Sequence, residues 1–175
     1  MAMTMNRNWL GDDDWRWVQE TVPVACVDVL PVQMSGVGGA IARVGLIHRD
    51  TPHQGRRWCL VGGRLWRDES FAEAATRQIR ETLGAGAQFH IDADAQPVYI
   101  AQYFTHEREV GLLDPRQHAV AMVFVVPIGG DIVAGGEACE FRWFGRNELP
   151  IPEEWGFGQD RVAEACLKPW ERARV

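Results

Sequence analysis

The sequence lacks any uninterrupted run of about 18 apolar residues, so no membrane-spanning helix is expected. It has four cysteines, Cys26, Cys59, Cys139 and Cys166, and none form a C-x-x-C pair. That argues against a zinc knuckle and leaves buried free thiols as the expectation. Positive charge is in deficit. Lys and Arg number 18 against 24 Asp and Glu, for a net charge of −6. Broad nucleic-acid binding is thereby disfavoured, although a small anion held by a few arginines and a cation remains open. The opening "MAMTMNRNWLGDDDW" has no apolar stretch of the signal-peptide kind, so a cytoplasmic location is expected. There is no internal repeat or low-complexity linker, and 175 residues suit one domain. Within it, 1–21 reads as an N-terminal helical extension, 62–85 as a loop and helix, and 153–175 as a C-terminal helical segment.

What is present is a mixed α/β (α+β) pattern. "DDDWRWVQETV" (Asp12–Val22) reads as a short helix whose acidic first turn suits the helix dipole. "PVACVDVLPV" (Pro23–Val32) and "IARVGLIHR" (Ile41–Arg49) read as strands joined by a turn over Ser35–Ala40. Asp50–Arg56 reads as a loop, and Arg57–Gly63 as a short strand ending on glycine. Two more strands follow in "AQFHI" and "PVYIAQYFTH", then a polar loop over Glu107–Gln117. His118–Ile128 is an almost continuous apolar run, which predicts a central strand buried on both faces. Glu140–Leu149 is the last strand and the turn after it. Phe157–Trp170 reads as a helix broken at Pro169. The sum predicts a mixed sheet with one helix on each side.

The chemistry concentrates in "GGRLWRDESFAEAATRQIRETLG", Gly62 to Gly84. Ser70 and Glu73 stand as a capping box, and Gly84 is a natural stop. On the helix between them, Phe71, Ala75, Ile79 and Leu83 form a row that would pack on the sheet. Gln78, Glu81 and Thr82 make a polar edge to that face, near the return of the glycine pair. Glycines there let a backbone approach a ligand closely. Magnesium takes oxygen ligands and shares them with substrate phosphates, so a helix carboxylate, a loop carbonyl and one further carboxylate suffice for such a cation. Arg77 and Glu81 also satisfy the spacing of an ordinary surface pair.

These residues resemble the Nudix box, G-x5-E-x7-R-E-U-x-E-E-x-G-U, where U is a bulky aliphatic. Gly63, Glu69, Arg77, Ile79, Glu81 and Gly84 fall in register, while Gln78, Thr82 and Ala85 depart from it. The likeness extends over roughly Trp15 to Pro150 and is similar to the GDP-mannose mannosyl hydrolase branch. It implies a Nudix α/β/α sandwich and hydrolysis of a nucleoside diphosphate linked to another group, such as a nucleotide sugar, with Mg2+ or Mn2+. It also implies roles. The Gly62 carbonyl, Glu81 and Glu137 would hold the cation, Glu137 serving as base or ligand. Arg77 would orient the helix carboxylates, and Glu69 would pin the loop. Arg49 and Arg64 would neutralise diphosphate, with Asp28 near the substrate. In that branch the retained helix glutamate corresponds to Thr82 and the catalytic histidine to Ala138, and this chain has neither.

His118, at the start of the apolar strand, is a candidate general base or an ordinary strand-edge histidine. Trp58, Trp66, Tyr103 and Phe104 are core anchors or stacking partners for a base. The tryptophans and the N-terminal helix are compatible with a homodimer. Two functions stay open: a divalent-cation-dependent hydrolase, and a noncatalytic module that binds a nucleotide or metabolite.

Overall fold

The computed structural model describes residues 10–36 and 39–172. Expectations that touch residues 1–9, 37–38 and 173–175 fall outside the described residues. Helix α1 spans Asp12–Thr21 and buries none of its residues. The strands are β1 (Val24–Ser35), β2 (Ala40–Thr51), β3 (Gly55–Cys59), β4 (Val61–Arg64), β5 (Ala87–Phe89), β6 (Tyr99–Phe104), β7 (Leu112–Leu113), β8 (Ala119–Gly130) and β9 (Glu140–Gly145). Helix α2 (Phe71–Leu83) follows β4, and α3 (Gln159–Arg172) closes the described chain.

β1 is the spine. It runs parallel to β8 from Val24 to Val32 and antiparallel to β4 over Cys26–Val29. Val27 to Val32 are all buried, as expected of a strand covered on both faces. β8 lies between β1 and β6, which confirms the central strand read from its apolar run. β2 pairs with β1, β3 and β9 in turn.

The strand expected over Arg57–Gly63 is in fact two. β3 stays on β2, the chain turns at Leu60, and β4 moves to β1. The Leu60 N–H leaves the ladder and donates to Gln159 Oε1 at 2.9 Å. Asp50–Arg56 is no open loop either, because β2 and β3 extend until Thr51 pairs with Gly55. The polar stretch Glu107–Gln117 contains the short strand β7, which pairs parallel to β6. α3 continues through Pro169, where a break was expected.

α2 is built as its sequence suggests. Ser70 Oγ accepts from the Glu73 N–H at 3.2 Å, and Glu73 Oε2 accepts from the Ser70 N–H at 2.8 Å. Ala75, Ile79 and Leu83 are buried, but Phe71, at the first helical position, is 37% exposed. Of the cysteines, Cys59 and Cys166 are buried, whereas Cys139 is exposed.

Neighbouring strand residues point to opposite faces. Gly62 pairs with Asp28, and both face Tyr103 and the start of α3. Gly63 faces the other way, towards Gln78 of α2. α2 and α3 therefore cover opposite faces of the sheet, and α1 adds a second helix on the α3 side, where one on each side was expected. No helix among the described residues is long and apolar enough to cross a membrane.

Candidate active site

A cleft of about 220 Å³ opens on the α3 face of the sheet. It brings together Asp28, Arg49, Gly62, Arg64 and Glu137, five of the residues singled out in the sequence. Arg77, Glu81 and His118 are not among its lining residues. The His118 ring instead stacks on Phe104, centroids 4.9 Å apart. Its Nε2 is buried and has no partner among the described residues.

Asp28 is the buried acid of the cleft. Tyr103 donates its hydroxyl to Asp28 Oδ2 at 3.2 Å, and Gln159 Nε2 donates to the same hydroxyl oxygen at 3.1 Å. Gln159 is itself fixed by the Leu60 N–H, so the break between β3 and β4 supports this chain of bonds. Burial pushes the Asp28 carboxyl up to about 6, against the opposing pull of the Tyr103 hydroxyl and the Arg49 charge. The same burial, with the Asp28 charge added, raises the Tyr103 hydroxyl well above its ordinary value. The Cys26 thiol, also lining the cleft, is pushed up to about 12, chiefly by burial. It is no ready nucleophile.

Arg49 extends from β2 and forms an ion pair with Glu137. Its Nε is buried and meets no acceptor among the described residues. Glu137 comes from the turn between β8 and β9. That turn packs on the end of α2: the Gly135 N–H donates to the Thr82 carbonyl at 2.9 Å. Gly136 has φ +60, and a Cβ there would stand 3.2 Å from the Glu81 carbonyl oxygen. Only glycine meets both demands without strain, and the turn thereby carries Glu137 beside the Glu81 backbone.

Arg77 spends every donor it has. Nε and Nη2 grip Glu69 at 2.7 and 2.8 Å, and Nη2 also reaches the Arg64 carbonyl at 3.1 Å. Nη1 donates to Glu81 at 3.3 Å and to Gln78 Oε1 at 2.8 Å. A guanidinium has five N–H groups, so none is left for a substrate. The guanidinium carbon also lies 3.9 Å from the Trp66 ring centroid. Arg77 thus positions the loop and the helix rather than touching reacting atoms. Trp66 serves that packing, and Trp58 is buried against His48 and Phe144.

Gln78 closes the same network. Its Nε2 donates to the Gly62 carbonyl at 3.2 Å. A Cβ on Gly63 would lie 2.5 Å from the nearest atom of that amide group, which is why the second glycine of the pair is required. The first serves the opposite face, since a Cβ on Gly62 would collide with the Asp28 carboxylate.

The far wall was not legible from the box. It comprises Trp15 and Gln19 of α1, Asp114, Arg116 and Gln117 before β8, and Phe157 and Gln159 at α3. Arg64 lies over the Trp15 ring at 4.7 Å, and Gln19 Nε2 donates to Gln117 Oε1 at 2.9 Å. Arg116 is held by Asp114 through bonds of 2.9 and 2.8 Å. Phe157 has φ +58 and lies near two guanidiniums, those of Arg49 and Arg116, at 5.7 and 5.3 Å. A non-glycine residue at positive φ was the kind of feature that only coordinates reveal.

The donor set tests whether a divalent cation fits. Among the described residues no three His, Cys, Asp or Glu side chains gather as a metal site. The Gly62 carbonyl accepts from the Gln78 amide. Glu81 and Glu137 remain, on adjoining backbone. Two carboxylates completed by substrate phosphates are an ordinary magnesium arrangement. In donor type the two carboxylates suit a cation whose remaining ligands come from a substrate.

A mixed sheet between helices, with the Gly62–Gly84 loop and helix and a polar cleft beside them, is the Nudix-type fold. Solved structures agree. A Jonesia denitrificans protein described as a possible asymmetric diadenosine tetraphosphate (Ap(4)A) hydrolase matches with TM-score 0.79 and 31% identity, over 89% of this chain and 99% of that one. A MutT/nudix family protein from Enterococcus faecalis matches with TM-score 0.64 and 16% identity, over 94% and 76%, a likeness of fold. Residues 5–161 match the family described as Domain of unknown function (DUF4916), and the chain belongs to that family. An ADP-ribose pyrophosphatase from Methanocaldococcus jannaschii is 30% identical over 122 residues, 63% of this chain and 64% of that relative. The chain thus spans less than two thirds of that relative's length, and the α/β sandwich of this chain is the Nudix fold.

Proposed function

We propose that this protein is a Nudix hydrolase that cleaves a nucleoside diphosphate linked to another group, dependent on a divalent cation. The observation that carries the reading is Arg49. Its buried Nε lacks an acceptor among the described residues, in a cleft that also holds Arg64, Glu137 and Asp28. An unmet buried donor costs about 1–3 kcal/mol, and a phosphate oxygen would meet it. The names of the relatives make ADP-ribose and Ap4A-like compounds the first substrates to try. The similarity to the mannosyl hydrolase branch keeps nucleotide sugars beside them.

In this reading Arg49 and Arg64 offset phosphate charge. Asp28, steadied by Tyr103 and Gln159, accepts a hydrogen bond from the bound molecule. Glu81 and Glu137 hold Mg2+ or Mn2+, and Glu137 is placed to take a proton from water. When bound, the cation supplies Lewis-acid stabilisation of phosphoryl charge. His118 is left without a part in the reaction. The box is relaxed, since it keeps one of its three helix carboxylates. The exposed Trp17 on α1 offers a homodimer contact.

The test is a turnover screen with ADP-ribose, Ap4A and nucleotide sugars, with and without Mg2+ or Mn2+, identifying products. Metal-dependent release of a nucleotide is expected for at least one class, and no turnover across the panel refutes the enzyme. The second reading, a binding module, draws on the Gln78 amide at the Gly62 carbonyl. It expects nucleotide-dependent thermal stabilisation without product.

A further inference from the structure

The Gly62 carbonyl, Gln78 and Arg77 form a closed chain. The amide meets a group of opposite need at each end: its NH2 donates to the carbonyl at 3.2 Å, and its oxygen accepts from the guanidinium at 2.8 Å. Gln78 is 9% exposed and fills the space that Gly63 leaves open. A magnesium ion would stand about 2.1 Å from a carbonyl ligand, in the place the amide N–H occupies. Charge points the same way. Glu69 and Glu81 are tied to Arg77, Glu137 is tied to Arg49, and Arg64 lines the same cleft. Each of these three glutamates already faces a guanidinium, so little unpaired glutamate charge is left to draw in a dication.

We propose that Gln78 is an internal stand-in for a cation: its amide locks the glycine strand to α2 and withholds the Gly62 carbonyl, so the protein alone does not retain a divalent metal. Oxygen ligands are then completed only by the phosphates of a bound nucleotide. This deepens the hydrolase reading and rests on it for where the metal finally sits. The lock itself stands on the geometry of Gly62, Gln78 and Arg77.

Binding of Mn2+, followed by the paramagnetic resonance signal of the free ion, tests it in wild type, Gln78→Glu and Gln78→Ala. Each is titrated with Mn2+ alone and with Mn2+ plus α,β-methylene-ADP, and each is melted with and without Mn2+. Wild type should bind Mn2+ alone at least ~10-fold more weakly than with the nucleotide, because the phosphates complete the ligand set. Gln78→Glu should gain ~10-fold or more in affinity for Mn2+ alone, and Mn2+ should raise its melting temperature. Gln78→Ala should melt lower than wild type and, with the Gly62 carbonyl released, should bind Mn2+ alone more tightly than wild type, though less tightly than Gln78→Glu. If Gln78→Glu does not fold, a folded Gln78→Ala protein that binds Mn2+ alone no better than wild type overturns the proposal.

Tight, stoichiometric binding of Mn2+ alone by wild type overturns the proposal. So does a Gln78→Glu protein that is folded and no better at binding it. Should the nucleotide bring no Mn2+ to wild type while Gln78→Glu gains affinity, the lock holds and the hydrolase reading falls.

Discussion

Replacing Asp28 with Asn should stabilise the protein near neutral pH. Asp28 is buried among Tyr103, Gly62 and the sheet, and burial raises its carboxyl from 3.8 to about 6. The unfolded chain ionises this group near 3.8, but the folded protein does so only near 6. Between those values folding takes up a proton, so stability falls as the pH rises across that window. Above about pH 6 the loss is complete. The rise from 3.8 to about 6 corresponds to ~3 kcal/mol at 1.36 kcal/mol per pKa unit. Asn keeps an oxygen for the Tyr103 hydroxyl and removes the charge. For a domain of this size ~3 kcal/mol is ~6–12 °C in melting temperature. Thermal melts of wild type and Asp28→Asn at pH 7.5, 6, 5 and 4 read the effect. The gap should be widest at pH 7.5 and close steadily towards pH 4. A gap that is constant with pH, or an Asp28→Asn protein less stable at pH 7.5, refutes the assignment of a buried, destabilised carboxylate. Loss of catalytic efficiency alongside the gain in stability would match the usual exchange between stability and function at a site.

Three further outcomes follow from the network around α2. Arg77→Lys keeps a charge but loses the fork that grips Glu69, a pair only 14% and 11% exposed, and should cost about 3 kcal/mol, seen as a lower denaturant midpoint. Gly63→Ala drives a methyl to 2.5 Å from the Gln78 amide group and should cost about 1–3 kcal/mol. Adding Gln78→Ala should then cost less than the sum of the two, and a double-mutant cycle measures that coupling. Glu81→Gln removes a half-exposed partner worth about 0.5 kcal/mol, so its melt should barely move. Its kcat on whichever substrate is found should drop ~100-fold if Glu81 holds the cation (~3 kcal/mol of transition-state stabilisation).

The fold was legible where pattern and punctuation agreed. The apolar run at His118–Ile128 announced the central strand. Ser70 and Glu73 fixed the start of α2, and Gly84 its end. What escaped was tertiary. Arg57–Gly63 reads as one strand because its residues all favour extended structure. The switch of partner at Leu60 is set by Gln159, 99 residues away, which accepts the freed N–H. β7 escaped because two residues carry no period, and its existence depends on β6. Phe71 sits on the predicted face, but at the helix's first position the sheet does not reach it, and it stays 37% exposed.

The site divides along the same line. Near the box, spacing carries information because one loop and one helix fix most of the geometry. Glu69, Arg77 and the glycine pair therefore stood out before any coordinates. The roles of the two glycines did not, since they depend on which face each points to. Gly62 makes room for Asp28 on one side, and Gly63 makes room for Gln78 on the other. Each partner then becomes intelligible. Asp28 is a buried acid because the backbone opposite it has no side chain. Gln78 is an amide because it must give a proton to a carbonyl and take one from a guanidinium that has already spent its other donors. A glutamate at 78 would answer Arg77 but set a carboxylate against the Gly62 carbonyl, and only a cation between them would relieve that. In this chain the departure from the box is thus itself a bonded arrangement: the amide proton stands where a metal charge would otherwise be needed.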